Sequence, residues 1–435
     1  MTNITLSIKT IINYIAVFII FSNALSIYVE VAELRIAYPL ILFLFLLMLP
    51  FIKDISFNRY FLIIFSALSV FSVYNIHVGN NTSVLFVKQF FGIFTSAVFF
   101  YLLIKFNNYD TKRLFEIYLN IAYIVALIGI IQEVSFLLNF KPGYDFSYFL
   151  PNWGAGDSMR GTFMRINSIL PEPAHFCGAI MVAFFVSITS FTKYNPGLLS
   201  RWKSIVIILS LIFSFSSVGY IGAMFSILIL AYNFNKIRYF FIAAMIVLSL
   251  FFFMLNYVGE FTARTGDTIA VLTGERTIEE SNLSTFAIMS NALVAYRSLQ
   301  KNMLIGTGLG SHELNYDKYI DIVIDTGEAK HVVNKEDAGS LFLRLVSETG
   351  LFGLLLFFVF IIKYYLRKKD DRSNYFWIIN NAILCMFIIK LLRYGHYFAD
   401  GFFFFFWLYY FSKIQSRKML NNFGMQKAKV FQHVI

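Results

Sequence analysis

Two arginines, a carboxylate flanked by prolines and a histidine fall together in the stretch DSMRGTFMRINSILPEPAH, Asp157 to His175. Arg160 and Arg165 come first, and Glu172 follows between Pro171 and Pro173. Proline removes a backbone donor and restrains the residue before it, so Glu172 is expected at an irregular helix entrance with its carboxylate turned into the fold. Such a carboxylate can take a proton from a hydroxyl. Arginine supplies the complementary chemistry, because its planar fork grips phosphate oxygens in a way lysine does not. Arg264, Arg276, Arg297 and Arg393 add guanidinium groups, and His312 and His331 are further candidate bases. A plainer reading pairs Glu172 with Arg165 to fix a loop and leaves single arginines at lipid headgroups.

The elements that position these groups are apolar. Of the 435 residues 58% are hydrophobic and 14% charged, well away from the roughly one-quarter charged usual in soluble domains. Twelve runs have the composition of helices crossing a bilayer: 11–28, 36–52, 60–76, 85–104, 117–138, 168–191, 204–215, 218–232, 239–258, 341–364, 375–392 and 402–411. The stretch 204–232 is too long for one helix and divides at Ser214, Ser216, Ser217 and Gly219. The expected fold is an all-α polytopic membrane bundle of about 12 helices in one integral membrane domain, residues 1–435. No small-residue cleavage site follows Tyr28, so the first run reads as a span and not as a signal peptide.

Lysines and arginines fall on alternate loops: Lys53 and Arg59; Lys105, Lys112 and Arg113; Lys193, Arg201 and Lys203; Lys236 and Arg238; Arg367 to Arg372; then the tail from Lys413. Cytoplasmic loops retain such residues, which puts both termini in the cytoplasm. The net charge of +11 is then a topology signal, and no basic soluble domain suggests a nucleic-acid partner. Cys177 and Cys385 sit inside apolar runs and read as small buried hydrophobes.

Two long segments remain on the other side, 139–167 and 259–340, and the chemistry is expected there. Within the second, Phe286, Met289, Leu293, Tyr296, Leu299 and Met303 recur at helical spacing, with Ser281 or Ser284 as N-cap and Gly306 as stop. That helix either lies on the membrane surface or closes the top of the bundle.

Ionisable groups near the same ends of the spans are Lys88, Glu133, Glu172, Arg344, Glu348, Lys390 and Arg393. Arg344 and Glu348 are four apart and read as a local ion pair worth about 0.2–0.5 kcal/mol. Lys390 and Arg393 lack an acid within a turn, and Glu133 or a bound anion would serve them. The glycines of LIGTGLGSHE lack the βαβ context of a nucleotide loop. His312, His331 and His396 lack zinc spacing, so no metal site and no cofactor is expected. Outward arginines above an apolar bundle suit a lipid-linked pyrophosphate.

Three patches, RINSILPEPAHF, NALVAYRSLQKNMLIGTGLGS and LFLRLVSETGLFGLLLF, make the chain resemble the O-antigen polymerase and ligase superfamily, specifically Wzy-type polysaccharide polymerases. The resemblance implies a GT-C-like glycosyltransferase of the bacterial inner membrane. It would join undecaprenyl-pyrophosphate-linked repeat units, on the outer face, into O-antigen or capsular polysaccharide. Arg165, Arg160 and Arg276 would hold pyrophosphate, with Arg264, Arg297 and Arg393 behind them, and Glu172, then His312 or His331, would act as base. Membrane lipid, a chain-length regulator and a flippase are the implied partners. In ligases a His-Asn pair precedes the Glu-x-Gly element; counting back from Glu348 and Gly350 reaches Asp337, Gly339 and Ser340 instead, which favours polymerase over ligase. A flippase for the same lipid-linked glycan is the non-enzymatic alternative.

Overall fold

The computed structural model describes residues 2–29, 32–52, 56–154, 163–234, 237–257, 259–320, 324–325, 330–331, 333–398 and 401–432. Each of the twelve apolar runs carries a helix: α1 (Thr2–Phe18), α2 (Ala37–Met48), α3 (Arg59–His77), α4 (Ser83–Phe106), α5 (Thr111–Leu137), α7 (Pro173–Thr189), α8 (Arg201–Phe213), α9 (Ser217–Tyr232), α10 (Ile237–Tyr257), α14 (Leu341–Tyr364), α15 (Phe376–Leu392) and α16 (Phe402–Gln432). Among the described residues five helices are long and apolar enough to cross a membrane, and shorter apolar helices accompany them. The protein is a polytopic helical membrane protein. The turn at Ser214 to Ser216 divides α8 from α9 where the serines suggested.

The first run departs from expectation. Its helix starts nearer the N-terminus, and residues 26–29 leave it to form β1, paired antiparallel with β2 (Ala32–Arg35). Short polar side chains start the regular helices: Asn58, Thr82, Asp110, Ser200 and Ser340 each accept a backbone N–H of the first turn, which supplies an acceptor to an end whose N–H donors lack one.

Helices α7 and α15 form the centre and are buried along nearly their whole length. Buried polar side chains beside them reach backbone acceptors: the Tyr118 hydroxyl donates to the Ala179 carbonyl at 2.7 Å, and the Trp407 indole to the Ala97 carbonyl at 2.8 Å. Large apolar side chains such as Leu42, Ile63, Val70 and Phe241 remain on the outside. On a soluble protein that surface would be a liability, whereas lipid solvates it. Cys177 and Cys385 are both buried free thiols.

The basic loops meet at one pole, where Lys105 donates to Ser56, Arg113 to Thr10, Lys203 to Asn120 and Lys368 N–H to Asn233. The described residues of segments 139–167 and 259–340 hold further short elements. The first holds the single turn α6 (Lys141–Tyr144). The second holds α11 (Gly259–Thr273), α12 (Leu283–Lys301), α13 (His312–Tyr319) and the short pair β3 (Ile324–Asp325) and β4 (Lys330–His331).

The spacing-predicted helix is α12, but its cap is Asn282, whose side chain accepts from the N–H groups of Ser284 and Thr285. Its buried face also differs from the predicted stripe. Tyr296 and Met303 are exposed, while Ser290, Asn291, Val294, Ala295 and Ser298 are buried. Small and polar residues were selected on that face because it packs on α14, where the Ser347 hydroxyl donates to Ser298.

Candidate active site

Helix α14 is broken where the site begins. Gly350 has φ +58° and ψ −157°, a conformation side chains with a Cβ rarely adopt. The break strands two carbonyls, Ser347 and Glu348, and two N–H groups, Leu351 and Phe352, which an unbroken helix would pair with each other. The segment 303–308 takes all four. Thr307 and Gly308 donate to Ser347 and Glu348 at 3.1 and 2.8 Å, and Leu351 and Phe352 donate to Met303 and Leu304 at 3.0 and 2.9 Å. Irregular backbone is tolerated at such depth only when protein re-satisfies it. The contact is backbone on backbone, since a Cβ on Gly306 would lie 2.5 Å from the Gly350 nitrogen. The glycine motif therefore has a role that spacing alone did not reveal: it plugs a helix break. Leu309 continues the plug onto α3 and the turn after it, donating to the Ser72 hydroxyl and accepting from Asn81, both at 2.9 Å.

One turn before the break lies a buried charged centre. The Arg344 guanidinium donates to Glu348 at 2.8 Å, to the Gly395 carbonyl at 3.2 Å and to Gln89 at 2.6 Å. It also stacks 4.6 Å from the Tyr397 ring centroid. The Tyr397 hydroxyl completes the set by donating to the second Glu348 oxygen at 3.2 Å; burial and the Glu348 charge keep that phenol protonated. The expected local ion pair is thus a hub joining α4, α14 and the α15–α16 turn.

The α15–α16 turn is clamped to the residues before α14. Tyr394 N–H donates to the Gly339 carbonyl at 2.9 Å. A Cβ on Gly395 would lie 1.5 Å from the Asp337 carbonyl oxygen, so only glycine fits there. Asp337 accepts from the Gly339 N–H at 3.1 Å and faces the His396 imidazole at 3.6 Å. Burial opposes the Asp337 charge, yet His396, the Gly339 N–H, Arg344 and His175 together hold its carboxyl below the usual range. His175, on the first turn of α7, packs against Tyr394 with the rings tilted and their centroids 5.2 Å apart.

Below this centre an apolar groove of about 280 Å³ runs between α3, α14 and α16. Leu309, Leu341 and Tyr397 line its head, Ile64 and Phe357 its middle, and Lys363 and Tyr410 its foot at the basic pole.

The residues singled out by sequence scatter around this centre. Glu172 is exposed at the N-cap of α7 and makes no capping bond, so its carboxylate does not turn into the bundle. Among the described residues it has no ion pair with Arg165. Arg165 is half-buried near Cys177 and Tyr220, and Arg264 reaches Ser217 at 3.4 Å, which brings these two towards the α8–α9 turn. Arg276 is paired with Asp267, and Arg297 donates to the Tyr319 carbonyl at the end of α13. Arg393 is half-buried at the end of α15. Lys390 is buried with its ammonium 6.0 Å from the Tyr394 ring centroid and 5.9 Å from that of Phe402, and Glu133 accepts from Met164 N–H at 3.1 Å rather than meeting Lys390 or Arg393. His312 is fully buried, bonded to Asn291 at 2.8 Å, and burial holds its pKa down to about 3. Arg160 lies outside the described residues, as does the side chain of His331, whose backbone is in β4. Asp337, His396, Tyr397, Gln89 and His175 were missed as a group. Their signals, single polar residues at the same ends of different spans, carry no spacing pattern.

A helical bundle with a buried charged centre beside an apolar groove defines the chain as a polytopic helical membrane protein. Residues 203–358 match the Wzy_C family, described as O-antigen ligase, consistent with the O-antigen ligase and polymerase superfamily. The match runs from α8 through the break in α14 and includes Arg344 and Glu348. It supports O-antigen-related glycan transfer. No curated protein and no solved structure matches the chain.

Proposed function

We propose that the protein is a glycosyltransferase that polymerises undecaprenyl-pyrophosphate-linked repeat units on the outer face of the bacterial inner membrane, without a metal ion. The observation that carries this reading is an apolar groove whose head, at Leu341 and Tyr397, adjoins the Arg344 hub and the residues before α14. A polyprenyl tail needs such a groove, and its diphosphate needs the polar head. In this reading the basic pole and both termini are cytoplasmic, by the positive-inside rule, and segments 139–167 and 259–340 roof the site as parts of a single membrane domain. Arg165 and Arg264 supply diphosphate contacts beside the α8–α9 turn. Arg160, Arg276, Arg297 and Arg393 are second candidates for diphosphate and Glu172 and His331 for the base, and a flippase and a chain-length regulator act before and beside the enzyme. Preorganised cations stabilise the charge that develops as the diphosphate departs.

Transfer of the finished glycan to a lipid A-core acceptor, a ligase activity, is the second reading, favoured by the family description of residues 203–358. The donor chemistry is the same and only the acceptor differs. Deleting the gene separates them on a glycan gel. Loss of polymerase leaves single-repeat glycan, loss of ligase leaves lipid-linked polymer with nothing attached, and loss of a flippase traps intermediates in the cytoplasmic leaflet. The last outcome rejects the enzymatic reading altogether.

A further inference from the structure

We infer that His396 is the base that deprotonates the acceptor hydroxyl in glycan transfer, with Asp337 as the positioning residue that fixes its ring; the inference rests on the glycan-transfer reading above.

Among the described histidines, His396 pairs with a carboxylate while keeping part of its side chain exposed. Its side chain is 29% exposed and lies 3.6 Å from Asp337, whereas His312 is sealed inside the protein and half-buried His175 lies against the Tyr394 ring with its Nδ1 buried. With Asp337 3.6 Å from Nε2, the carboxylate's charge favours the proton on that nitrogen and leaves the Nδ1 lone pair for an incoming hydroxyl. The pair is also built to be held. Asp337 is anchored by the Gly339 N–H, and the His396 backbone is anchored through Gly395 to Arg344 and through Tyr394 to Gly339.

Strain marks both sides of the clamp. Ala338 and Tyr394 have φ of +60° and +75° although neither is glycine. Such positions are strained and persist where the surroundings over-determine them. The groups facing His396 are Asp337 before α14, Arg344 on α14, Arg35 on β2 and Lys390 on α15. Burial first, and then those three cations against Asp337, hold the imidazole below its ordinary range. It is neutral and able to accept a proton at neutral pH.

In the step itself the acceptor oxygen forms a bond to the donor's anomeric carbon as its proton passes to the open nitrogen of His396. The bond from that carbon to the diphosphate oxygen breaks, and its electron pair leaves with the lipid diphosphate. The imidazolium then returns its proton to solvent.

The test uses the full chain in detergent, with lipid-linked repeat unit extracted from cells lacking this gene, and reads initial transfer rates against pH. His396→Ala is expected to lower the rate by about 10²–10⁴-fold, with partial recovery on adding imidazole. His396→Gln, which keeps shape and hydrogen bonding but cannot titrate in this range, is expected to melt like wild type and stay slow. Asp337→Asn is expected to slow transfer and move the acid limb to lower pH, because the carboxylate that raised the imidazole's affinity for protons is gone. Wild-type rate and acid limb in His396→Ala, or full rate in His396→Gln, overturns the base alone. No transfer by the wild-type chain overturns the glycan-transfer reading and the base with it.

Discussion

Replacing Arg344 by alanine removes the centre of the hub, and the structure sets the size of the effect. Arg344 and Glu348 side chains are 4% and 0% exposed, so the substitution leaves a buried carboxylate facing only the Tyr397 hydroxyl and strips donors from Gln89 and the Gly395 carbonyl. Breaking a buried ion pair from one side costs about 3–5 kcal/mol. With an unfolding entropy of about 2.1 cal/mol/K per residue, that is a fall of about 3–6 °C in the melting temperature of a chain this long. The shift is larger if helices persist in the unfolded state. Arg344→Met with Glu348→Met removes both charges and is expected to recover much of the loss, because no ion remains buried alone. Thermal unfolding in detergent, followed by tryptophan fluorescence, measures all the corners of the cycle. An Arg344→Ala protein that melts within 1 °C of wild type (about 1 kcal/mol by the same entropy), or a double variant no more stable than Arg344→Ala, refutes the hub.

Gly350→Ala places a Cβ 2.6–2.7 Å from the Gly306 nitrogen and the Met303 and Leu304 carbonyls; it is expected to undock the plug, lowering both melting temperature and transfer, and hydrogen exchange over 303–311 should rise. Ile64→Trp narrows the groove and is expected to raise the KM for lipid-linked donor with little change in kcat, the pattern of lost uniform binding; an unchanged KM argues that the tail binds elsewhere. His312 binds its proton near pH 3 when folded and near 6.5 when unfolded, so the unfolded chain holds more protons between those values and stability falls as pH drops through that window. His312→Asn is expected to flatten the fall, leaving the share of His396, and chemical denaturation at pH 7 and pH 4.5 checks it.

The bundle was legible because its signal is repeated and local: each apolar run is long enough to declare a helix, and the serines at 214–217 declare the turn between α8 and α9. Helix α12 showed by period, although its buried face did not, because Asn291 and Ser298 are buried to meet His312 and Ser347 rather than to leave water. The same limit hid the site. Arg344 and Glu348 are neighbours in sequence and suggested a pair, but Gln89, Gly395 and Tyr397 reach them from two other elements, and no spacing rule links those positions. The arginines read from sequence as a set on one side, whereas the separation of Arg165 and Arg264 to the α8–α9 turn, Arg276 to Asp267 and Arg297 to the end of α13 depends on tertiary packing. Gly306 and Gly350 are far apart in the chain and explain each other only as two backbones in contact.

The central claim is that this chain alone moves glycan from a lipid diphosphate at the pole above the groove. Purified wild-type protein in detergent with EDTA, given lipid-linked repeat unit and no other protein, tests it most directly. A ladder of lengthened lipid-linked glycans is the predicted result. Unchanged repeat unit after prolonged incubation, with or without divalent metal and with or without a lipid A-core acceptor, contradicts it.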